Sequence, residues 1–321
     1  METLELKQLR TRFVSDLNLP IQVVQDPYFT QRLQLLEKEY GTYTKYNELI
    51  NYINEDYDGN ANRFLETYHY IRDNIITTCE KSKAYKEFIE NDKYKSKQIP
   101  RIEKKNLYIE PNDNECFISF DMKKANFQAL KYAAPELVYN SDTYEDFIGN
   151  FTTSQYIKES KYTRQVIFGK LNPKRTINVE SYLINIVYDY IVNNTNILEF
   201  AEPYSMNVDE IIFHIKKDKV KSVYQINVDS SKIKANTNID IRITLFKLHH
   251  HQFAFATSNE RLNVFQKVDL ITQEKTLACV PSTYYPQVFK ALNGFEKTED
   301  DLVFYYEHEL VSFKNPLKLI K

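Results

Sequence analysis

Through its N-terminal part the chain spaces apolar residues three and four positions apart, the pattern of a helix with one buried face. Phe64, Leu65, Tyr68, Ile71, Ile75 and Ile76 form such a stripe and predict one long helix over residues 60–92. Leu33, Leu35, Leu36 and Tyr40 predict a shorter helix over 28–40. Pro20 and Pro27 keep residues 19–27 extended, because each disfavours helix in the residue before it. Residues 93–114 are charged, proline-marked and without a stripe, and read as a linker.

The pattern changes at Glu115. Residues 116–122 form a compact apolar strand, and Ala125, Phe127, Leu130, Ala133 and Ala134 mark a helix over 123–137. Two more helices are predicted at 144–151 and 154–168. Asn172 is a good N-cap with Pro173 in the first helical position. The helix it starts carries Ile177, Leu183, Ile186, Val187, Tyr190 and Ile191 on its apolar side. Beyond it the period falls to two, which predicts strands at 206–215, 221–228, 239–248 and 252–257. A short helix over 283–292 ends at Asn293 and Gly294, and strands at 302–306 and 310–313 follow. The expected fold is α+β: a helical N-terminal region (1–105), then helices packed on a mainly antiparallel sheet (115–321). The chain contains no internal repeat and no low-complexity tract.

Composition narrows the class. Over 321 residues, 42% are hydrophobic and 27% charged, ordinary values for a globular protein. No apolar run is long enough to cross a bilayer. The first residues lack the basic, apolar and small-residue plan of a signal peptide, so the chain is expected to be intracellular. Three cysteines, Cys79, Cys116 and Cys279, lie too far apart for a zinc site and are read as reduced thiols. The chain has 25 Tyr and 20 Phe but only five Gly, so glycine-built phosphate loops are nearly excluded. A bias toward Tyr, Lys, Asn and Ile fits an AT-rich genome, so aromatic richness alone is poor evidence for base stacking.

Charge brings in candidate chemistry. Residues 158–175 hold six basic residues and one acid, although the chain as a whole has a net charge of −2. On a continuous helix, Lys158, Lys161, Arg164 and Phe168 fall on one stripe, with cations for phosphates and a ring for a base or sugar. The alternative is a solvated helix face whose Phe168 turns into the core. Lys170, Lys174 and Arg175 flank a helix N-terminus, a placement that opposes the helix dipole unless an anion binds there. Acids lie on both sides of this stretch. Asp121 ends an apolar strand, where it serves as a ligand position or as a helix N-cap. Asp209 and Glu210 lie at a tight hairpin or bind a cation. Carboxylates from two strands suit Mg²⁺ and phosphoryl transfer, with Asp121 and Asp209 as the metal ligands. His249, His250 and His251 read as an exposed turn at a strand end or, with two rings facing one way, as a metal pair.

The order of these pieces resembles the palm and fingers of family A DNA polymerases, the DNA polymerase I-like enzymes. In that family a strand-end aspartate precedes a helix, as in Ser119-Phe120-Asp121. A fingers helix carries a cation and, four residues on, an aromatic followed by glycine, as in Arg164 to Phe168-Gly169. A hairpin carries Val-His-Asp-Glu, to which Val208-Asp209-Glu210 is similar. The resemblance implies a palm-like sheet in which Asp121 and Asp209 bind the metals and Lys161 and Arg164 contact a triphosphate; together with Glu210 these two acids are the candidate catalytic residues. The helical N-terminal region would then stand where that family places its thumb. The chain departs from the pattern in lacking the hairpin histidine and the tyrosine-glycine pair after the fingers helix. Only 41 positions separate Phe168 from Asp209. The chain is also similar, through composition and Leu171-Asn172-Pro173-Lys174-Arg175, to proteins of large DNA viruses or phages, acting in the host cytoplasm or virion.

Three readings follow. One is a Mg²⁺-dependent nucleotidyltransferase acting on a nucleoside triphosphate or nucleic acid. Another is a non-catalytic protein whose basic stretch holds nucleic acid or a protein partner. A third is a scaffold whose basic helix pairs with the acidic segments 296–301 and 307–309.

Overall fold

The structure is a computed structural model that describes residues 4–96, 98–256, 258–307 and 309–320. Among the described residues nine strands form: β1 (Cys116–Met122), β2 (Ala201–Met206), β3 (Glu210–Ile215), β4 (Ile241–Ala254), β5 (Arg261–Asp269), β6 (Lys275–Ala278), β7 (Val303–Tyr306), β8 (Glu309–Ser312) and β9 (Lys318–Ile320). Seven of them make one sheet in the order β2-β3-β1-β4-β5-β6, with β9 on the far end of β4; β7 and β8 form a separate hairpin. Every neighbouring pair is antiparallel. The α+β expectation holds, with helices first and an antiparallel sheet after them.

The alternation along β1 sets the two faces of the sheet. Ile118, Phe120 and Met122 join Ile211, Phe213 and Ile215 of β3 and Ile241 and Leu245 of β4 in the main core. The helix Pro173–Asn194 lies against this face through Leu183, Val187 and Ile191, and Tyr188 stacks on Phe213 at 6.1 Å. Asn172 caps it as expected, accepting from the Arg175 amide. On the opposite face Phe117, Ile212, Phe246, Leu248 and Phe265 gather under Leu107. Residues 93–114 therefore do not behave as a free linker. Arg101 pairs with Asp189, the Lys105 amide donates to Ser205, and Asn112 bonds Tyr204.

Several predicted elements are cut differently. The long N-terminal stripe is two helices, Ala61–Lys81 and Lys83–Glu90, divided at Ser82, which caps the second. Residues 28–40 likewise divide into Tyr28–Leu35 and Glu37–Tyr40. Residues 206–215 are not one strand: β2 and β3 form a hairpin whose turn is closed by the Asn207 amide donating to the Glu210 carbonyl at 2.8 Å. The strand predicted at 221–228 is a run of tight helical turns, Lys217–Gln225. The strands predicted at 239–248 and 252–257 merge into one long β4 that runs only from Ile241 to Ala254; Thr257 lies outside the described residues. β5 and β6 form where no strand was expected.

The basic stretch folds as two short helices, Gln155–Glu159 and Lys161–Lys170, so the predicted single helix over 154–168 is corrected. Ser160 breaks it. Its hydroxyl accepts from the Thr163 amide at 2.9 Å and donates to Asp16 at 2.9 Å, and Tyr68 lies 2.9 Å away. These bonds compensate for the backbone pairing lost at the break. They also join the helices Leu4–Leu17 and Ala61–Lys81 to the basic segment around one buried carboxyl.

No helix among the described residues is long and apolar enough to cross a membrane.

Candidate functional site

The site begins with register. Pairing of β1 with β3 sets Asp121 directly opposite Glu210, and pairing with β4 sets it opposite Arg242. Asp209 precedes Glu210 at the end of the hairpin turn, and its carbonyl accepts from the Met122 amide at 2.8 Å. A backbone bond thus ties the turn to the residue after Asp121, so three acids from two segments meet at one end of the sheet.

Each acid has its own surroundings. Asp121 accepts from the Arg242 guanidinium at 2.5 Å, a pair in which Arg242 is 67% exposed and Asp121 28%. Glu210 accepts from the Ser119 hydroxyl at 2.6 Å. Asp209 is pushed above the usual carboxylate range by burial and by the negative charges of Asp121 and Glu210, with Lys104 offsetting part of this.

A fourth acid comes from below the sheet. Glu180 sits on the helix Pro173–Asn194 and is only 9% exposed. Burial, and then the charge of Asp209, push its carboxyl up to about 7. Glu180 escaped the sequence reading, although a signal existed. It occupies a position on the stripe of Thr176, Leu183, Val187 and Ile191, where an acid interrupts an otherwise buried face. Ser119 and Arg242 carried no such signal, because only strand pairing brings them to Asp121 and Glu210.

The donor set is hard oxygen, which suits Mg²⁺ or Mn²⁺. Among the described residues no group of three or more His, Cys, Asp or Glu is gathered so as to hold an ion by itself. Mg²⁺ is commonly held by only one or two carboxylates together with substrate phosphates, so the acids fit that ion with substrate present.

Lysines follow directly. A cavity lined by Lys123, Lys124, Lys131, Tyr144, Glu145 and Asp240 opens two residues beyond Asp121. Lys123 pairs with Asp240 at 3.1 Å, Lys131 with Asp142 at 3.0 Å, and Lys124 with Glu145.

The basic stretch does not form the expected stripe. Phe168 is 2% exposed and packs against Phe127, Tyr144 and Phe147 at ring distances of 6.4, 5.9 and 6.3 Å, which corrects its assignment to base stacking. Arg164 lies partly buried over the Tyr144 ring at 5.7 Å, and burial lowers its pKa. Arg175 is buried and donates to the carbonyls of Phe88 (2.7 Å) and Asn91, so it seals the end of an N-terminal helix rather than facing an anion. Lys158 and Lys161 are half-buried, and Lys170 and Lys174 are exposed. Asp301 of the acidic C-terminal segment pairs with Arg32 and Lys290, not with this stretch.

The histidines lie inside β4, not at a strand end. His250 stacks on Phe265 at 4.8 Å and its Nε2 lies 3.0 Å from Asn263 Oδ1. His249 and His251 alternate with it, and burial lowers both.

No family model, no curated protein and no solved structure matches this chain.

Proposed function

We propose that the chain handles nucleotides or nucleic acid, and that the end of its sheet is a metal-dependent nucleotidyltransfer centre. The observation that carries this reading is the antiparallel register setting Asp121 against the Asp209–Glu210 turn. Asp121 and Asp209 would hold Mg²⁺, which when bound supplies charge neutralisation at the phosphates and activates an attacking oxygen. Glu210, held by Ser119, is fixed in orientation beside the turn. Lys123 and Lys124, paired with Asp240 and Glu145, line the cavity that follows Asp121 in the chain and would supply cations to a polyphosphate there. The exposed Lys170 and Lys174 provide a separate, salt-sensitive contact for a nucleic-acid backbone.

The test is incorporation of labelled nucleoside triphosphates into a set of nucleic-acid primers with Mg²⁺ or Mn²⁺. Asp121→Asn and Asp209→Asn are each expected to lower incorporation at least about a hundredfold, the scale of removing an electrostatic stabiliser from a reacting centre. Unchanged incorporation in both variants would sink the reading.

A second reading is favoured by Arg242. Its guanidinium already supplies a cation to Asp121, as in a sheet that keeps the acids but only binds nucleic acid or a protein partner. Under it, wild type and both variants bind an oligonucleotide equally, with affinity falling as salt rises, and none incorporates nucleotide.

A further inference from the structure

We propose that a cavity between the N-terminal helices and the start of the basic segment binds a small organic cation, an amine carried on an apolar or aromatic body, with the Asp16 carboxylate as its anchor. The site shares no residue with the acids at the sheet end, so it does not rest on the reading above.

The cavity holds about 420 Å³, a volume typical of small-molecule sites. Three segments enclose it: the helix Leu4–Leu17, the helix Thr42–Tyr57, and residues 155–160. Phe13, Leu17, Leu49, Tyr52 and Tyr156 supply its apolar lining. A ligand there meets aliphatic side chains and three aromatic rings, whose faces attract a cation.

The polar groups fix the sign of the ligand. Asp16 is 1% exposed and lines the cavity together with Ser160. Its Oδ1 accepts from the Tyr68 hydroxyl at 2.6 Å and from Ser160 at 2.9 Å, whereas Oδ2 accepts only from Tyr156, at 2.8 Å. A carboxylate offers about four acceptor positions, so one on Oδ2 is left for a ligand N–H. All three donors are neutral hydroxyls. Among the described residues the one ion pair of Asp16 is a long one, 3.9 Å from Oδ1 to Arg12. The Arg12 guanidinium lies over the rings of Tyr68 and Tyr162, and Arg12 does not line the cavity. A buried negative charge held by neutral donors is costly until a cation reaches it. Glu48 and Glu159 add two acids to the lining, against a single cation, Lys45, whose ammonium donates to the Tyr40 carbonyl at 2.7 Å. The cavity therefore disfavours anions and suits a ligand with N–H donors at one end and a ring or alkyl body at the other.

The test uses tryptamine as the probe on the full chain. The chain contains no tryptophan, so indole fluorescence reports the probe alone. Tryptamine is expected to bind saturably, and indole-3-acetate, with the same ring and the opposite charge, is expected not to bind. Asp16→Asn keeps the shape and removes the charge, and is expected to weaken tryptamine binding at least about tenfold. Glu48→Lys, at an exposed position, is expected to weaken it about threefold. Glu90→Gln, an exposed acid on another helix, is expected to bind as wild type does. Circular dichroism checks that each variant folds, and Glu48→Lys decides the matter if Asp16→Asn does not fold. Absence of tryptamine binding overturns the proposal, as does equal binding of indole-3-acetate. Wild-type affinity in folded Asp16→Asn or Glu48→Lys overturns it too.

Discussion

Phe168 illustrates how one residue type serves two roles that only packing separates. Its ring fills a pocket of three other aromatic rings, so Phe168→Ala is expected to lower stability by about 3–5 kcal/mol. Urea denaturation reads this directly. A variant with unchanged stability and weakened nucleotide binding would restore the stacking role. Asp16 makes a pH prediction. It is buried, and burial raises its pKa even though Tyr68, Tyr156, Ser160 and Arg12 pull the other way. The folded chain therefore holds this proton to higher pH than the unfolded chain does. Asp16's contribution is fully present below the unfolded pKa and is lost as pH rises through the folded one. Asp16→Asn is thus expected to gain stability relative to wild type between acid and neutral pH, measured by denaturant titration at several pH values. A pH-independent difference would contradict it.

At the scale of elements, the helical stripe around Tyr68 and the Asn172–Pro173 helix start were legible, because periodicity and capping act within a few residues. The break at Ser160 was not. Serine is nearly neutral inside a helix, and its capping role here depends on Asp16 and Tyr68 arriving from two other helices. Ser160→Ala removes a cap and a buried bond and is expected to cost roughly 1–2 kcal/mol. Thermal melting would show it, and a neutral result would mean the break is held by other contacts. The β2–β3 hairpin was half legible, since the Asp209–Glu210 pair suggested a turn while the apolar run around it suggested one strand.

At the scale of the whole molecule, the main core runs without interruption from Leu9 in the first helix to Phe289 near the C-terminus. It includes Phe64, Tyr68 and Phe88 of the N-terminal helices together with Phe127, Phe168 and Phe213 of the later region. Arg175 and Arg101 tie the two parts through Phe88, Asn91 and Asp189. Residues 115–321 expressed alone are therefore expected to lack a cooperative melting transition, because one side of their core is exposed. A sharp transition at wild-type temperature would show that the N-terminal helices are dispensable.

The candidate site divides along the same line. Asp121, Asp209 and Glu210 stood out in the sequence because acids beside apolar strand residues break a local pattern. The chain by itself also determined the succession of helical and alternating segments, and hence the α+β class, since these depend on periods spanning a few residues. The tertiary structure alone decided that Asp121 faces Glu210 and Arg242, that Ser119 holds Glu210, and that Glu180 is buried on the helix Pro173–Asn194. Strand register and the seating of a helix on a sheet come from burying distant apolar faces against one another. No local spacing encodes which acid that burial will bring beside another.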